Sequence, residues 1–273
     1  LGNILHLMLK HFALSTAVAF CTACPAFAGP YDDIVSLEVL PGWETQAGTR
    51  MTGFRLTLKP GWKTYWRSPG VAGIPPVFHW SGSRNLDAVQ MHWPVPEVFY
   101  QSGMRSIGYE NVVTIPVEVH PKSDGPVRMQ GQLEIGVCED ICIPVAMDFE
   151  LLLNGQTARD PQLIAALIDQ PYSASDADVR QVTCRFDPTE AGLQMTAEIE
   201  LPPTGGSEVV VIESTGSNLW VSEADAERRG ERLIAVADIQ DMSGGPIVIN
   251  RSDLRLTVLG AQRAVDIRGC AAG

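Results

Sequence analysis

The strongest constraint on this chain is a period-two alternation of apolar and polar residues, repeatedly interrupted by Gly and Pro. Gly53-Phe54-Arg55-Leu56-Thr57-Leu58-Lys59, closed by Pro60-Gly61, is the clearest instance. Successive side chains of an extended strand point to opposite faces, so such a pattern buries one face and solvates the other. Residues 112–119, 127–137 and 147–153 repeat it, and no stretch from Tyr31 to Leu153 shows the period of a four-turn amphipathic helix. The expectation is a β-sandwich of the immunoglobulin-like kind.

One short helix is expected at residues 160–169, with Asp160 as its N-cap, Pro161 at its first position and Pro171 beyond its end. A polar loop at 173–178 follows, and the strand pattern resumes at 182–186, 193–201, 208–212, 233–237, 247–249 and 254–259. Turns near Pro202-Pro203, Gly205-Gly206 and Gly244-Gly245-Pro246 separate these strands, which implies a second β-sandwich. The expected fold is all-β: a first sandwich at 29–155, a linker with a short helix at 156–178, and a second sandwich at 179–273. A length of 273 residues suits two domains at roughly 150 residues each.

The N-terminal stretch has Lys10-His11, an apolar run at 12–23, and Ala26-Phe27-Ala28. This is the layout of a secretory signal, so residues 1–28 are expected to be a signal peptide cleaved after Ala28. The apolar run is shorter than the ~20 residues a membrane-spanning helix needs. Cys21 and Cys24 leave with the signal, so Cys138, Cys142, Cys184 and Cys270 remain. In an oxidising export compartment these invite disulfides, with three possible pairings.

Composition narrows the function. A hydrophobic content of 45% supports a buried core, and a net charge of -12 argues against a nucleic-acid partner, which needs clustered Lys and Arg. The five histidines fall in no nucleophile or zinc spacing, and no Gly-rich phosphate loop occurs, so no cofactor or resident metal is expected.

The remaining chemistry sits in Gly136-Val137-Cys138-Glu139-Asp140-Ile141-Cys142-Ile143-Pro144. Disulfide exchange needs one thiolate to attack and a second thiol to resolve the mixed disulfide. A tight turn through Glu139-Asp140-Ile141 would set the cysteines across a hairpin with Cα atoms roughly 4.5 to 5.5 Å apart, and a helical turn would also place them on one face. Acidic neighbours raise a thiol pKa, which suits a disulfide attacked by a partner's thiolate better than a self-activated nucleophile. The same spacing serves a permanent staple, or Cu(I) held with Met91, Met104, His79 or His92. Cys184 and Cys270, near the ends of the second domain, are expected to form a structural bond contributing ~4 kcal/mol in the chain-entropy model. Between Gly61 and Gly108, aromatics and prolines accumulate in segments that either pack on the sandwich end or bind.

Several ordered motifs carry a resemblance. Pro60-Gly61-Trp62-Lys63-Thr64-Tyr65-Trp66-Arg67-Ser68-Pro69-Gly70, Trp93-Pro94-Val95-Pro96-Glu97, Gly108-Tyr109-Glu110 and Cys138-x-x-x-Cys142-Ile143-Pro144 resemble the N-terminal periplasmic domain of the thiol:disulfide interchange protein DsbD and its ScsB-like relatives. The resemblance covers residues 31–153 and, more weakly, the two-domain exported architecture of the ScsB-like branch. It implies that Cys138 and Cys142 accept electrons from a membrane donor of the DsbD/CcdA type or a thioredoxin-like protein. They would pass them to periplasmic thiol-disulfide substrates, with cytochrome maturation, oxidative repair and metal tolerance as possible ends. It also implies a loop capping the cysteines, with Tyr65, Trp66, Pro69 and Tyr109 as candidates. The three-residue spacing between the cysteines is narrower than in the best-known members. The chain as given carries no membrane or thioredoxin-like domain, so a separate protein is expected to supply the electrons.

Overall fold

The computed structural model describes residues 31, 33–101, 103–155, 158–214 and 218–273; the expected signal peptide lies outside them. The first sandwich contains β1 (Val35–Glu44), β2 (Arg50–Leu58), β3 (Lys63–Tyr65), β4 (Val77–His79) and β5 (Leu86–Met91). It continues with β6 (Glu97–Gln101), β7 (Met104–Glu110), β8 (Val112–Pro121), β9 (Val127–Cys138) and β10 (Cys142–Leu153). One sheet runs β1-β2-β8-β5, the other β10-β9-β3-β7-β6 with β4 also on β9.

The alternation predicted for β2 is the one that builds the core. Phe54, Leu56 and Leu58 are buried while Thr57 is exposed. Each such side chain contributes about 1.5–3 kcal/mol on burial. The aromatic-rich segment feeds the same core: Trp62, Trp66 and Trp93 are buried, and the rings of Phe54 and Phe149 meet edge-on at 4.9 Å.

Helix α1 (Pro161–Ile168) starts where its capping chemistry places it, Asp160 Oδ1 accepting from the Gln162 and Leu163 amides at 2.7 and 3.4 Å. It does not hang free between the sandwiches. Leu163 is fully buried, and the Val95 amide donates to the Asp169 carbonyl at 2.8 Å, so the helix lies against the first sandwich.

The second sandwich contains β11 (Tyr172–Ser173), β12 (Gln181–Pro188), β13 (Leu193–Glu200), β14 (Val209–Ser214) and β15 (Leu219–Val221). Then come β16 (Asp225–Arg229), β17 (Arg232–Asp241), β18 (Leu254–Leu259), β19 (Ala264–Arg268) and β20 (Ala271–Ala272). Its sheets run β11-β19-β18-β14 and β15-β17-β13-β12-β20, with β16 on β17. The strand expected at 247–249 is absent: Ile247 and Ile249 pack on the core, but the segment joins no ladder. Alternation there reports which side chains are half-buried, and a strand also needs a neighbour for its backbone.

The sandwiches share an apolar contact through β14. Val210 and Ile212 enter the second core, whereas Val209 and Val211 join the cluster of the first sandwich, so the strand is covered on both faces. Among the described residues no helix is long and apolar enough to cross a membrane.

Candidate disulfide-exchange site

β9 and β10 form a long hairpin whose last pair is Cys138 opposite Cys142. The turn is tight, with the Glu139 amide donating to the Ile141 carbonyl at 3.2 Å. Of the two local structures the spacing allowed, this is the hairpin, and the cysteines are bonded with Cα atoms 4.2 Å apart. Sheet order makes the two cysteines unequal. Cys138 lies on an inner strand facing β3 and is 1% exposed, while Cys142 begins the edge strand β10 and is exposed.

Tyr65 reaches this pair from β3. Lys63 is the register partner of Cys138, and Tyr65, two residues on, shares its face of the sheet. The Tyr65 hydroxyl donates to Cys138 Sγ at 2.8 Å and lies 3.4 Å from both Cys142 Sγ and the Ala72 carbonyl. A hydroxyl carries one proton, so the closest acceptor receives it. Burial raises the Tyr65 pKa, which keeps that proton in place.

The chain after β3 folds back over Tyr65. A Cβ at Gly73 would stand 2.3 Å from Pro69 Cβ and 2.8 Å from Tyr65 Cδ1, so the close approach requires glycine. Ile74 in turn lies on Gly136 of β9, where an added Cβ would meet Ile74 Cβ at 2.7 Å. Tyr65, Pro69 and Ile74 thus form the cover beside Cys138. Ala72, Gly73 and Ile74 were missed by the sequence reading, although Gly70, Gly73 and Pro75-Pro76 mark that stretch as a loop.

Trp66 and Tyr109, expected in the cap, are elsewhere. Trp66 follows Tyr65 and therefore faces the opposite side, where it is fully buried with the Arg67 guanidinium 3.8 Å above its ring. Tyr109 pairs with Thr64 on that same opposite face. Its hydroxyl donates to the Pro94 carbonyl at 2.9 Å, and burial pushes its pKa well up, so it is a neutral core donor.

Of the candidate copper ligands, His79, His92 and Met91 lie away from the cysteines. His79 sits opposite Gln132, roughly 20 Å down β9 from Cys138 at about 3.3 Å per residue, and pairs with Glu134 at 3.2 Å. His92 lies 3.3 Å from Glu118 beside the other sheet, and Met91 ends β5 in that sheet. Met104 opens β7 opposite Gln101, whose side-chain amide donates to the Glu139 carbonyl in the turn between the cysteines at 3.5 Å. Among the described residues no group of three or more His, Cys, Asp or Glu could hold a metal. In the second sandwich Cys184 and Cys270 are bonded, Cα atoms 5.8 Å apart, with Cys184 fully buried on β12.

A hairpin disulfide with one exposed cysteine and a tyrosine-bearing cover, set on an all-β scaffold of two sandwiches, describes a thiol-disulfide interchange module. Residues 36–154 match the family model "Thiol:disulfide interchange protein DsbD, N-terminal", so the first sandwich is similar to that family's domain. The two-sandwich fold is similar to the crystal structure of the N-terminal periplasmic domain of ScsB from Proteus mirabilis. That match has a TM-score of 0.68 at 21% identity, covering 90% of this chain and 97% of that one. Comparison with curated proteins gave no match.

Proposed function

We propose that Cys138 and Cys142 are an exchange pair that takes two electrons from a thioredoxin-like or membrane-bound dithiol partner and passes them to disulfide substrates in the periplasm. The observation that carries this reading is the asymmetry of the pair: Cys142 is exposed, and Cys138 is buried beneath the Tyr65 hydroxyl. The periplasmic name of the structurally similar ScsB domain supports the location.

The partner's thiolate attacks the accessible Cys142 sulfur, forming a partner–Cys142 bond as the Cys138–Cys142 bond breaks. Cys138 leaves as a thiolate, and the hydrogen bond from Tyr65 is aimed at the atom on which that charge develops. The partner's second thiol then attacks its own mixed disulfide and releases Cys142. Two electrons and two protons have moved to this pair, and the reverse sequence delivers them to a substrate disulfide. Glu139 and Asp140, exposed at the turn, suit the first half of the cycle, in which the pair is attacked.

Trapping tests the assignment. Cys138→Ser leaves Cys142 to displace thionitrobenzoate from a thioredoxin-like partner whose single remaining cysteine carries it as a mixed disulfide, giving a lasting partner–Cys142 bond, whereas Cys142→Ser should trap at least roughly tenfold less, because access governs the rate. Equal trapping by both variants, or by neither, rejects the mechanism.

A further inference from the structure

The loop that covers the disulfide is held from the second sandwich. At its start, Arg67 donates to both Glu213 carboxylate oxygens at 3.1 and 2.9 Å and to Thr257 Oγ1 at 3.1 Å. Further along, the Val71 amide donates to Glu223 Oε1 at 3.3 Å, while Glu223 Oε2 pairs with Arg105 of β7 at 3.3 Å. Gly70 makes this approach possible. Its φ of +80° is left-handed, and a Cβ there would lie 2.8 Å from Glu223 Oε1. Immediately beyond Val71 come the Ala72 carbonyl beside the Tyr65 hydroxyl, and then Ile74 on Gly136.

Beside these polar contacts the packing between loop and second sandwich is incomplete. Pro69, Val71, Arg105, Trp220 and Glu223 border a cleft of about 150 Å³ between the sandwiches. Where close packing is interrupted, dispersion contacts are lost, and directional polar contacts set the position of the chain.

We infer that Glu223 is a positioning residue that latches the loop closed over Cys138–Cys142, so that the second sandwich sets how readily a thiolate reaches the pair. The use of such a latch rests on the exchange reading above; its effect on access does not. Glu223→Ala releases the Val71 amide and Arg105 together. Glu223→Gln retains a carbonyl acceptor for the amide and loses only the ion pair.

The test uses the full oxidised chain. It follows reduction of Cys138–Cys142 by dithiothreitol and by thioredoxin, with Cys184–Cys270 as internal control, and amide hydrogen exchange across residues 70–74. Glu223→Ala should speed reduction by both reagents roughly three- to tenfold, the scale of one typical net hydrogen bond at an exposed site. Loop exchange should quicken while β9 and β10 stay protected, and Glu223→Gln should return both readouts toward wild type. An unchanged or slower rate in folded Glu223→Ala overturns the latch. Should that variant not fold, the wild-type protein decides, because a Val71 amide that exchanges without protection overturns it as well. Failure of the exchange reading shows separately: thioredoxin would then fail on the wild-type bond while the dithiothreitol ratio between variant and wild type still reports on the latch.

Discussion

The two disulfides belong to sheets of similar size and differ in almost everything that governs reactivity. Cys138–Cys142 spans a sequence separation of 4 and closes a hairpin at a sheet edge, with one of its two residues exposed. Cys184–Cys270 spans 86 positions, and Cys184 is fully buried. In the chain-entropy model the short loop removes ~2 kcal/mol of unfolded-state freedom and the long one ~4 kcal/mol or more. A bond that constrains little and offers an accessible sulfur is suited to turnover. A bond that ties distant strands around a core is suited to staying closed.

The largest expected difference is in redox poise. Titration in graded thiol buffers, read by alkylation and mass spectrometry, should place Cys138–Cys142 above about -300 mV and Cys184–Cys270 below it, and each ~30 mV of gap is tenfold in equilibrium. Coincident potentials would erase the distinction between the bonds.

Stability should show the reverse ranking. Replacing both Cys184 and Cys270 by Ser should lower the urea-unfolding free energy by ~4 kcal/mol, against ~2 kcal/mol or less for the Cys138 and Cys142 pair. A larger loss at the hairpin would make that bond the staple.

A smaller effect isolates Tyr65. Hydrogen bonding to the charged form stabilises it, so Tyr65→Phe should lower the thiolate fraction of reduced Cys138 near neutral pH by roughly three- to tenfold. Alkylation rate against pH measures this, and an unshifted profile would remove Tyr65 from the chemistry. The Cys184–Cys270 potential should not move.

The smallest effect separates both bonds from ordinary electrostatics. Glu118 is held below the usual carboxylate range by the Thr49 hydroxyl and His92, against the opposing effect of burial. For Glu208, burial alone would raise the pKa, but Arg228 and Thr204 override it and the net direction is down. A folded pKa below the unfolded one contributes stability above the ordinary glutamate value near about 4.3, and that contribution is lost as pH falls through the folded value. Acid titration of unfolding should therefore show stability falling below about pH 4.3, and less steeply in Glu118→Gln or Glu208→Gln. A steeper fall in either variant would contradict the sign.

Much of the architecture was legible because strand alternation and helix capping are local. β2, β9 and α1 follow from residues a few positions apart, and Asp160 with Pro161 marked the helix start. Other features were hidden for equally physical reasons. Tyr65 and Trp66 are adjacent aromatics of similar character, and only the sheet register tells which faces the sulfur. The continuous run Val209-Val210-Val211-Ile212 was a signal for a strand buried on both faces, but its second partner lies in the other sandwich.

The sequence by itself determined the all-β class, the hairpin-compatible cysteine spacing and the cluster of motifs around it. These depend on periodicity and turn chemistry acting over a few residues. Only the tertiary structure decided that Cys142 is the exposed residue of the pair, because β10 is an edge strand beside an inner β9. It alone also brought Glu223 to the Val71 amide across a separation of 152 residues. Such a contact follows from how two finished sandwiches meet, and no local spacing encodes it.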